Sequence, residues 1–191
     1  DGRFHHLMIQ SRDGTVVGTY RMQTAEMAQA GGGWYSDAEF EVGALPESVR
    51  AESVEIGRAC VAREHRNGRV LSLLWRGLAR YLIWNRKRVL FGCCSLTSQD
   101  ESLGHSVHHH LEATGAVHPT LRVEPVASCR LGAGSDQEPP PHVPALFRAY
   151  LDLGAKVLGP PAIDRAFKTI DWLVILDVRE LDPGIHRALF R

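Results

Sequence analysis

Glu55-Ile56-Gly57-Arg58-Ala59-Cys60-Val61, followed at once by Ala62-Arg63-Glu64-His65-Arg66-Asn67-Gly68-Arg69-Val70, is the stretch that decides how this chain folds. It reads as a strand, a short basic loop containing glycine, and the mouth of a helix. Beyond Gly68 the apolar residues Leu71, Leu74, Trp75, Leu78, Leu82 and Ile83 recur at helical spacing up to Asn85, while Arg69, Arg76, Arg80 and Lys87 favour the other side. A helix amino terminus presents unpaired N–H groups and a partial positive charge. The backbone around Asn67, Gly68, Arg69 and Val70, with the side chains of Arg66 and Arg69, is therefore the candidate seat for a phosphate.

Working outward, residues 4–10 and 15–22 are β-rich runs separated by Ser11-Arg12-Asp13-Gly14, which predicts an antiparallel hairpin closed by a type I′ turn. Thr24 to Pro46 mixes a short helical pattern with turn residues and an apolar cluster at Trp34, Tyr35 and Phe40, as in a loop that packs over something. Val89 to Leu96 is a continuous apolar run of the kind buried on both faces, which places it centrally in a sheet. Helical patterns recur over 99–114 and 144–156, a β-like run spans Thr120 to Val126, and Ile170 to Val178 is the strongest strand in the carboxy-terminal half. Residues 132–144, with Pro139-Pro140-Pro141, predict an exposed loop. There is no internal repeat. This order of elements implies one α/β layered domain over 1–191 with a mixed sheet.

Lys plus Arg balances Asp plus Glu at 22 each, so attraction to a partner has to come from local patches, and bulk nucleic-acid binding is disfavoured. No apolar run approaches a membrane span and the first residues carry no signal-peptide pattern, which predicts a cytoplasmic protein. Cys60, Cys93, Cys94 and Cys129 lack zinc-site spacing and read as reduced core residues. His105, His108, His109 and His110 lack a completing carboxylate or thiol, so no metal site is expected.

The sequence resembles the GNAT acyltransferase superfamily in its order of elements and in His65-Arg66-Asn67-Gly68-Arg69-Val70 opening the main helix. Val17-Gly18-Thr19-Tyr20-Arg21, Glu55 to Val61, Leu74-Trp75-Arg76-Gly77-Leu78, Leu90-Phe91-Gly92-Cys93 and Pro160-Pro161-Ala162-Ile163-Asp164 are similar to the ornithine-acyl-carrier-protein N-acyltransferases and their hemolysin-like and N-acyl amino acid synthase relatives. The Gly-x-x-Arg and Glu-x-x-Arg elements are also similar to those of acyl-homoserine-lactone autoinducer synthases. The resemblance implies a GNAT-like acyl-CoA N-acyltransferase fold, a mixed, mostly antiparallel sheet flanked by helices. Val70 departs from the small residue usual in that loop. The helical block that precedes the first hairpin in the relatives is not among these residues, so the resemblance implies a domain lacking it.

The resemblance further implies transfer of a fatty acyl chain to the α-amino group of an amino acid, with ornithine the leading acceptor and glycine a rival. The product is an N-acyl amino acid or lyso-ornithine lipid, through which the protein would associate peripherally with a membrane. The weak glycine content of the loop fits the single phosphodiester of acyl carrier protein better than coenzyme A. No cofactor is expected to stay bound; the acyl-phosphopantetheine of the carrier, or acyl-CoA, serves as donor. Arg76, Arg80, Arg86, Lys87 and Arg88 would dock the acidic carrier.

Acyl transfer from a thioester needs a deprotonated amine and a stabilised oxyanion. Glu55 is the candidate base, since burial on an apolar strand raises a carboxyl's pKa. Arg58 either pairs with Glu55 or holds the acceptor carboxylate. In a flat strand the two point to opposite faces, so a β-bulge between Gly57 and Cys60 is expected, with backbone N–H groups near Cys60 and Val61 serving the oxyanion. Arg21 is a candidate for the acceptor carboxylate or the pantetheine phosphate. Asp164 and Asp171 are candidates for a second acceptor amino group, although a turn and a strand edge also account for them. Two other readings stay open: a CoA-dependent acetyltransferase acting on a small amine, and a non-catalytic acyl- or carrier-binding module.

Overall fold

The computed structural model describes residues 2–132, 134 and 143–191. The loop expected over 132–144 therefore lies, but for Gly132, Gly134, Val143 and Pro144, outside the described residues. In chain order the elements are β1 (His5–Gln10), β2 (Val16–Thr24), α1 (Ala25–Gly31), α2 (Glu47–Arg50), β3 (Ser53–Val61), α3 (Arg69–Asn85), β4 (Val89–Leu96), α4 (Glu101–Ala113), α5 (Ala145–Asp152), β5 (Lys156–Val157), β6 (Ala162–Asp164), β7 (Thr169–Asp177) and α6 (Pro183–Phe190). Among the described residues, seven strands follow the hydrogen-bonded order β1-β2-β3-β4-β7-β5, with β6 also on β7. The pairs β1/β2, β2/β3, β5/β7 and β6/β7 are antiparallel, so the expected α/β class with a mostly antiparallel sheet is what the chain adopts.

Two compact units divide the chain: residues 1–34, 48–90 and 177–191 in one, and 35–47 with 91–176 in the other. In the first unit the β1–β2 hairpin turns at Ser11–Thr15, where Ser11 N donates to Thr15 O (2.9 Å) and Gly14 N to Ser11 O (3.0 Å). A type I′ turn needs two left-handed residues; here Gly14 alone is left-handed, at φ 87°, because Asp13 keeps an ordinary backbone and its carboxylate accepts from Thr15 N. The helix α3 lies against the hairpin through two bare α-carbons. A Cβ on Gly18 would sit 2.5 Å from Val70 Cγ1, and one on Gly77 would sit 2.7 Å from Leu7 Cδ2, so only glycine admits this approach. The helix α1 begins on Thr24, whose hydroxyl accepts from Met27 N, and stops at left-handed Gly32.

The second unit is built on an apolar cluster that includes Cys94, Val107, Leu111, Phe147, Val157, Ile163, Ile170 and Trp172. The rings of Phe147 and Trp172 are 5.8 Å apart. The run Thr120–Val126 is not a strand. Its bonds are scattered, Glu41 N to Glu124 O and Val123 N to Leu158 O, and its one bridge pairs Pro125, which has no N–H to continue a ladder, with Phe40. The helix expected over 144–156 is the shorter α5, closed where Gly154 turns left-handed at φ 95°. The cysteines are all free, but Cys60 is exposed and only Cys94 is buried, because Cys60 lies beyond the apolar half of β3.

Candidate active site

The strands β2 and β3 pair Gln23 with Glu55, Met22 with Ile56 and Arg21 with Gly57, then resume with Thr19 opposite Cys60 and Gly18 opposite Val61. Tyr20 thus faces two residues, Arg58 and Ala59, and the β-bulge expected between Gly57 and Cys60 is present. Arg58 takes the left-handed backbone, φ 50°. The extra residue of a bulge leaves the ladder locally unpaired, which places a candidate oxyanion N–H at Arg58 or Ala59, just ahead of the expected Cys60 and Val61.

Directly opposed residues share a face of the sheet and faces alternate along each strand. Arg21, Gln23, Glu55 and Gly57 therefore share one face, with Arg21 diagonal to Glu55 and within reach of a long side chain. Glu55 is 5% exposed and Arg21 is 8% exposed. The Arg21 guanidinium sits over the Phe4 ring at 4.3 Å, so its flat surface is covered by an aromatic face. Arg58, by contrast, is exposed. The register thus makes Arg21 the cation on the face of Glu55, a relation that sequence spacing hid because the two residues belong to different strands.

Below the bulge, Ala62 N donates to Val17 O and a short 3₁₀ turn over Arg63–His65 leads to the helix. Arg66 Nε donates to Val61 O (3.0 Å) and Asn67 Oδ1 accepts from Arg69 N (3.1 Å). Gly68 caps α3 at φ 86°, and the first turn holds no acidic residue. The side chain of Val70 is buried against Gly18, so only its backbone is available to a ligand. Arg63, Arg66 and Arg69 are exposed, and together they form a cationic rim at the helix mouth.

The five expected docking cations are not equivalent. Lys87 pairs with Glu26 and donates to Ala51 O, Arg88 pairs with Glu52 and Asp177, and Arg80 Nη2 donates to Arg191 O. Arg76 and Arg86 are exposed. Partial burial pushes the Asp177 carboxyl up, but hydrogen bonds from Arg179 and Arg88 outweigh it and hold the pKa below the usual carboxylate range. The hydrogen bond from Lys87 does the same to Glu26.

In the second unit, β6 and β7 place Ala162 opposite Asp171 and Asp164 opposite Thr169, so the two acids share a face. Asp164 Oδ1 accepts from Ala166 N (2.7 Å) and Phe167 N (2.9 Å), which closes the hairpin ahead of left-handed Lys168. Glu39, which the sequence pattern did not single out because it lies in an aperiodic segment, completes a group with them. One carboxylate oxygen from each of Glu39, Asp164 and Asp171 lies within 4.8 Å of the others. Burial raises the pKa of Asp171, against the lowering effect of the Ser95 and Thr169 hydroxyls. Burial also drives the Cys94 thiol far above its ordinary value, and the charge of Asp171 adds to this, so Cys94 is held as an inert thiol.

Residues 1–76 match the family described as Acetyltransferase (GNAT) domain. The chain is 32% identical over 183 residues to the L-ornithine N(alpha)-acyltransferase of Rhodobacter capsulatus, covering 92% of this chain and 69% of that protein. It is 32% identical over 181 residues to the L-ornithine N(alpha)-acyltransferase of Rhizobium meliloti, of which it spans 59%. In three dimensions it resembles an aminoglycoside 6'-N-acetyltransferase complexed with coenzyme A, with a TM-score of 0.50 at 10% identity, over 93% of this chain and 74% of that one; this is a likeness of fold. No described helix is long and apolar enough to cross a membrane.

Proposed function

The chain belongs to the L-ornithine N(alpha)-acyltransferase family, and from that premise we propose that it moves a fatty acyl group from a phosphopantetheine thioester to the α-amino group of ornithine. The observation that carries the reading is Glu55: a carboxylate 5% exposed, on one face with Arg21, beside a bulge whose backbone is left-handed.

In this reading Glu55 accepts a proton from the acceptor ammonium, directly or through a water. The freed amine attacks the thioester carbonyl, and the C–N bond forms as the carbonyl electrons move onto oxygen. A backbone N–H of the bulge at Arg58 and Ala59 meets that oxyanion, the kind of donor worth about 10²–10³ in rate. Collapse expels the pantetheine sulfur as thiolate, which takes the second proton from the adduct's nitrogen to leave as the thiol, and the amide remains. Arg21, on the same sheet face, is the cation placed to steady and orient the Glu55 side chain. Arg58, exposed at the bulge, is the proposed holder of the acceptor carboxylate.

The donor phosphate rests at the mouth of α3, on Arg66 and Arg69 and on the backbone from Asn67 to Val70. Acyl carrier protein is the proposed donor, because a loop with one glycine and a buried valine suits one phosphodiester better than the three phosphates of coenzyme A. Arg76 and Arg86, both exposed, are the members of the docking set proposed as its contacts.

The test is turnover of ornithine with acyl carrier protein or CoA thioesters, read by mass spectrometry of the product. Glu55→Gln, folded as judged by its melting curve, is expected to lose about 10²–10⁴ in kcat with the carrier substrate. Full turnover by that variant would remove the base. Equal rates from CoA and carrier thioesters would remove the carrier.

A further inference from the structure

We propose that Gln23 is a positioning residue for the proton that Glu55 takes up: its side-chain oxygen accepts a hydrogen bond from the O–H of the protonated Glu55 carboxyl. The assignment rests on the reading of Glu55 as the base given above.

Gln23 stands on β2 directly opposite Glu55 on β3, and the two share a face of the sheet. Directly opposed residues hold their Cβ atoms about 4.5–5.5 Å apart, which brings side chains of this length within reach of each other. Both are buried, Gln23 at 1% exposure and Glu55 at 5%. The nitrogen of the Gln23 amide fixes its orientation. Nε2 donates to Gly33 O at 3.1 Å, and because one carbonyl cannot donate to another, the amide cannot be turned over. Oε1 is thereby left on the other branch, hidden from solvent and without a hydrogen-bond donor among the described residues. Neither Arg21 nor Arg3, whose Nη1 donates to Gly31 O, supplies one. A buried acceptor without a donor is costly, and native proteins seldom keep one without a reason.

The protonation state of Glu55 supplies the reason. An ionised carboxylate only accepts, so it offers Gln23 Oε1 nothing; a protonated carboxyl carries one O–H donor. The missing partner therefore exists in one state of Glu55, the state reached when the acceptor ammonium gives up its proton. The N–H bond breaks, the O–H bond forms on Glu55, and the new O–H turns to Gln23 Oε1; after the product leaves, the proton passes to water. Because Oε1 is hidden, its donor comes from within the fold and not from a ligand. The other charged or titratable groups on this face are Arg21, His6, which β1 pairs opposite Arg21, and Arg3, which flanks Gly31 together with Gln23. On the far side of β3 the strand β4 carries no charged residue, and α3 packs on the opposite face at Gly18. Histidine titrates too, so the readout is taken at Glu55 itself.

The experiment follows the side-chain carbonyl carbons of Glu55 and Gln23 by NMR in the full chain, isotope-labelled at those carbons and without acyl donor, from about pH 4 to about pH 9. In the wild-type protein the Gln23 signal is expected to move with the Glu55 midpoint. A Gln23 signal that stays flat through the Glu55 titration, or a Glu55 that stays ionised down to acid unfolding, would overturn the assignment. Gln23→Met, close in volume and lacking the acceptor, should lower the Glu55 midpoint by about one pH unit, since a hydrogen bond to the neutral form is lost. An unmoved midpoint in the folded variant, as a role in packing alone predicts, would also overturn it. Where Gln23→Met does not fold, the wild-type titration decides. In turnover the same variant should move the acid limb of kcat/KM down by the same amount and lower the plateau about threefold, as a weaker base does. A Glu55 midpoint that shifts while the limb of the rate profile stays in place would leave the Gln23–Glu55 bond standing and remove Glu55 as the base.

Discussion

Glu55 and Asp171 are two buried carboxylates on strands of one chain, and they keep opposite company. Glu55, on β3, shares its sheet face with the buried cation Arg21; Asp171, on β7, shares its face with Asp164 and lies close to Glu39. In water the two would behave alike. Burial separates them, because a low-dielectric setting magnifies whatever charge stands nearby. A carboxylate beside a cation is stabilised in its charged form and can act as a base. A carboxylate buried among carboxylates has its charged form disfavoured and its pKa raised. The neighbours, more than the residue type, assign the role.

The sharpest way to break this contrast is to take away the cation. Arg21→Met leaves Glu55 buried without its facing charge and should lower stability by about 3–5 kcal/mol in urea unfolding. The double variant Arg21→Met/Glu55→Gln should recover most of the loss; no recovery would mean that the two side chains do not sense each other. The two faces of β2–β3 offer a second comparison. Gly18→Ala drives a methyl to 2.5 Å from Val70 and should cost about 1–3 kcal/mol. Gly57→Ala, on the Glu55 face, meets only Arg21 Nη2 at 3.8 Å and should be neutral or stabilising by about 0.5 kcal/mol in the same measurement.

The smaller effect lies at Asp171 and has the opposite sign. Its folded pKa is raised above the unfolded value of 3.8, so its contribution to stability is fully present below that value and lost as pH rises through the folded pKa. In the unliganded protein Asp171→Asn should therefore raise the melting temperature at pH 8, by the equivalent of about 1 kcal/mol. It should leave the value at pH 4 nearly unchanged. A variant that melts lower at both pH values would show that the carboxylate, even without ligand, is needed charged.

The strand, loop and helix over residues 55–85 were legible because long periodic segments declare themselves: the alternation in β3, the apolar stripe of α3 and the glycine at its start all agree. The bulge was legible for a chemical reason, since a flat strand could not serve both Glu55 and Arg58. What it accomplished was not, because the register between β2 and β3 that brings Arg21 to the face of Glu55 is set by pairing across the sheet. The strands β5 and β6, two and three residues long, are too short to show a period. The helix α6 did carry a signal, Asp182 capping Gly184 N and Ile185 N with Pro183 at its first position, and that pattern is readable in the sequence. Glu39 carried none. Lys87 and Arg88 looked free as a basic run, while their acids, Glu26, Glu52 and Asp177, lie far along the chain.

Arg58 has a consequence for how this position can vary. Its backbone stands in a region of the Ramachandran map that few L-amino acids visit without strain, at φ 50°. In a library of all twenty amino acids at this position, selection for folded yield and selection for turnover would pull apart. Glycine and asparagine would enrich in the first and valine and isoleucine would vanish from it, whereas the second would reward the guanidinium alone. Torsional tolerance, ahead of charge, sets which replacements survive long enough to be judged on catalysis.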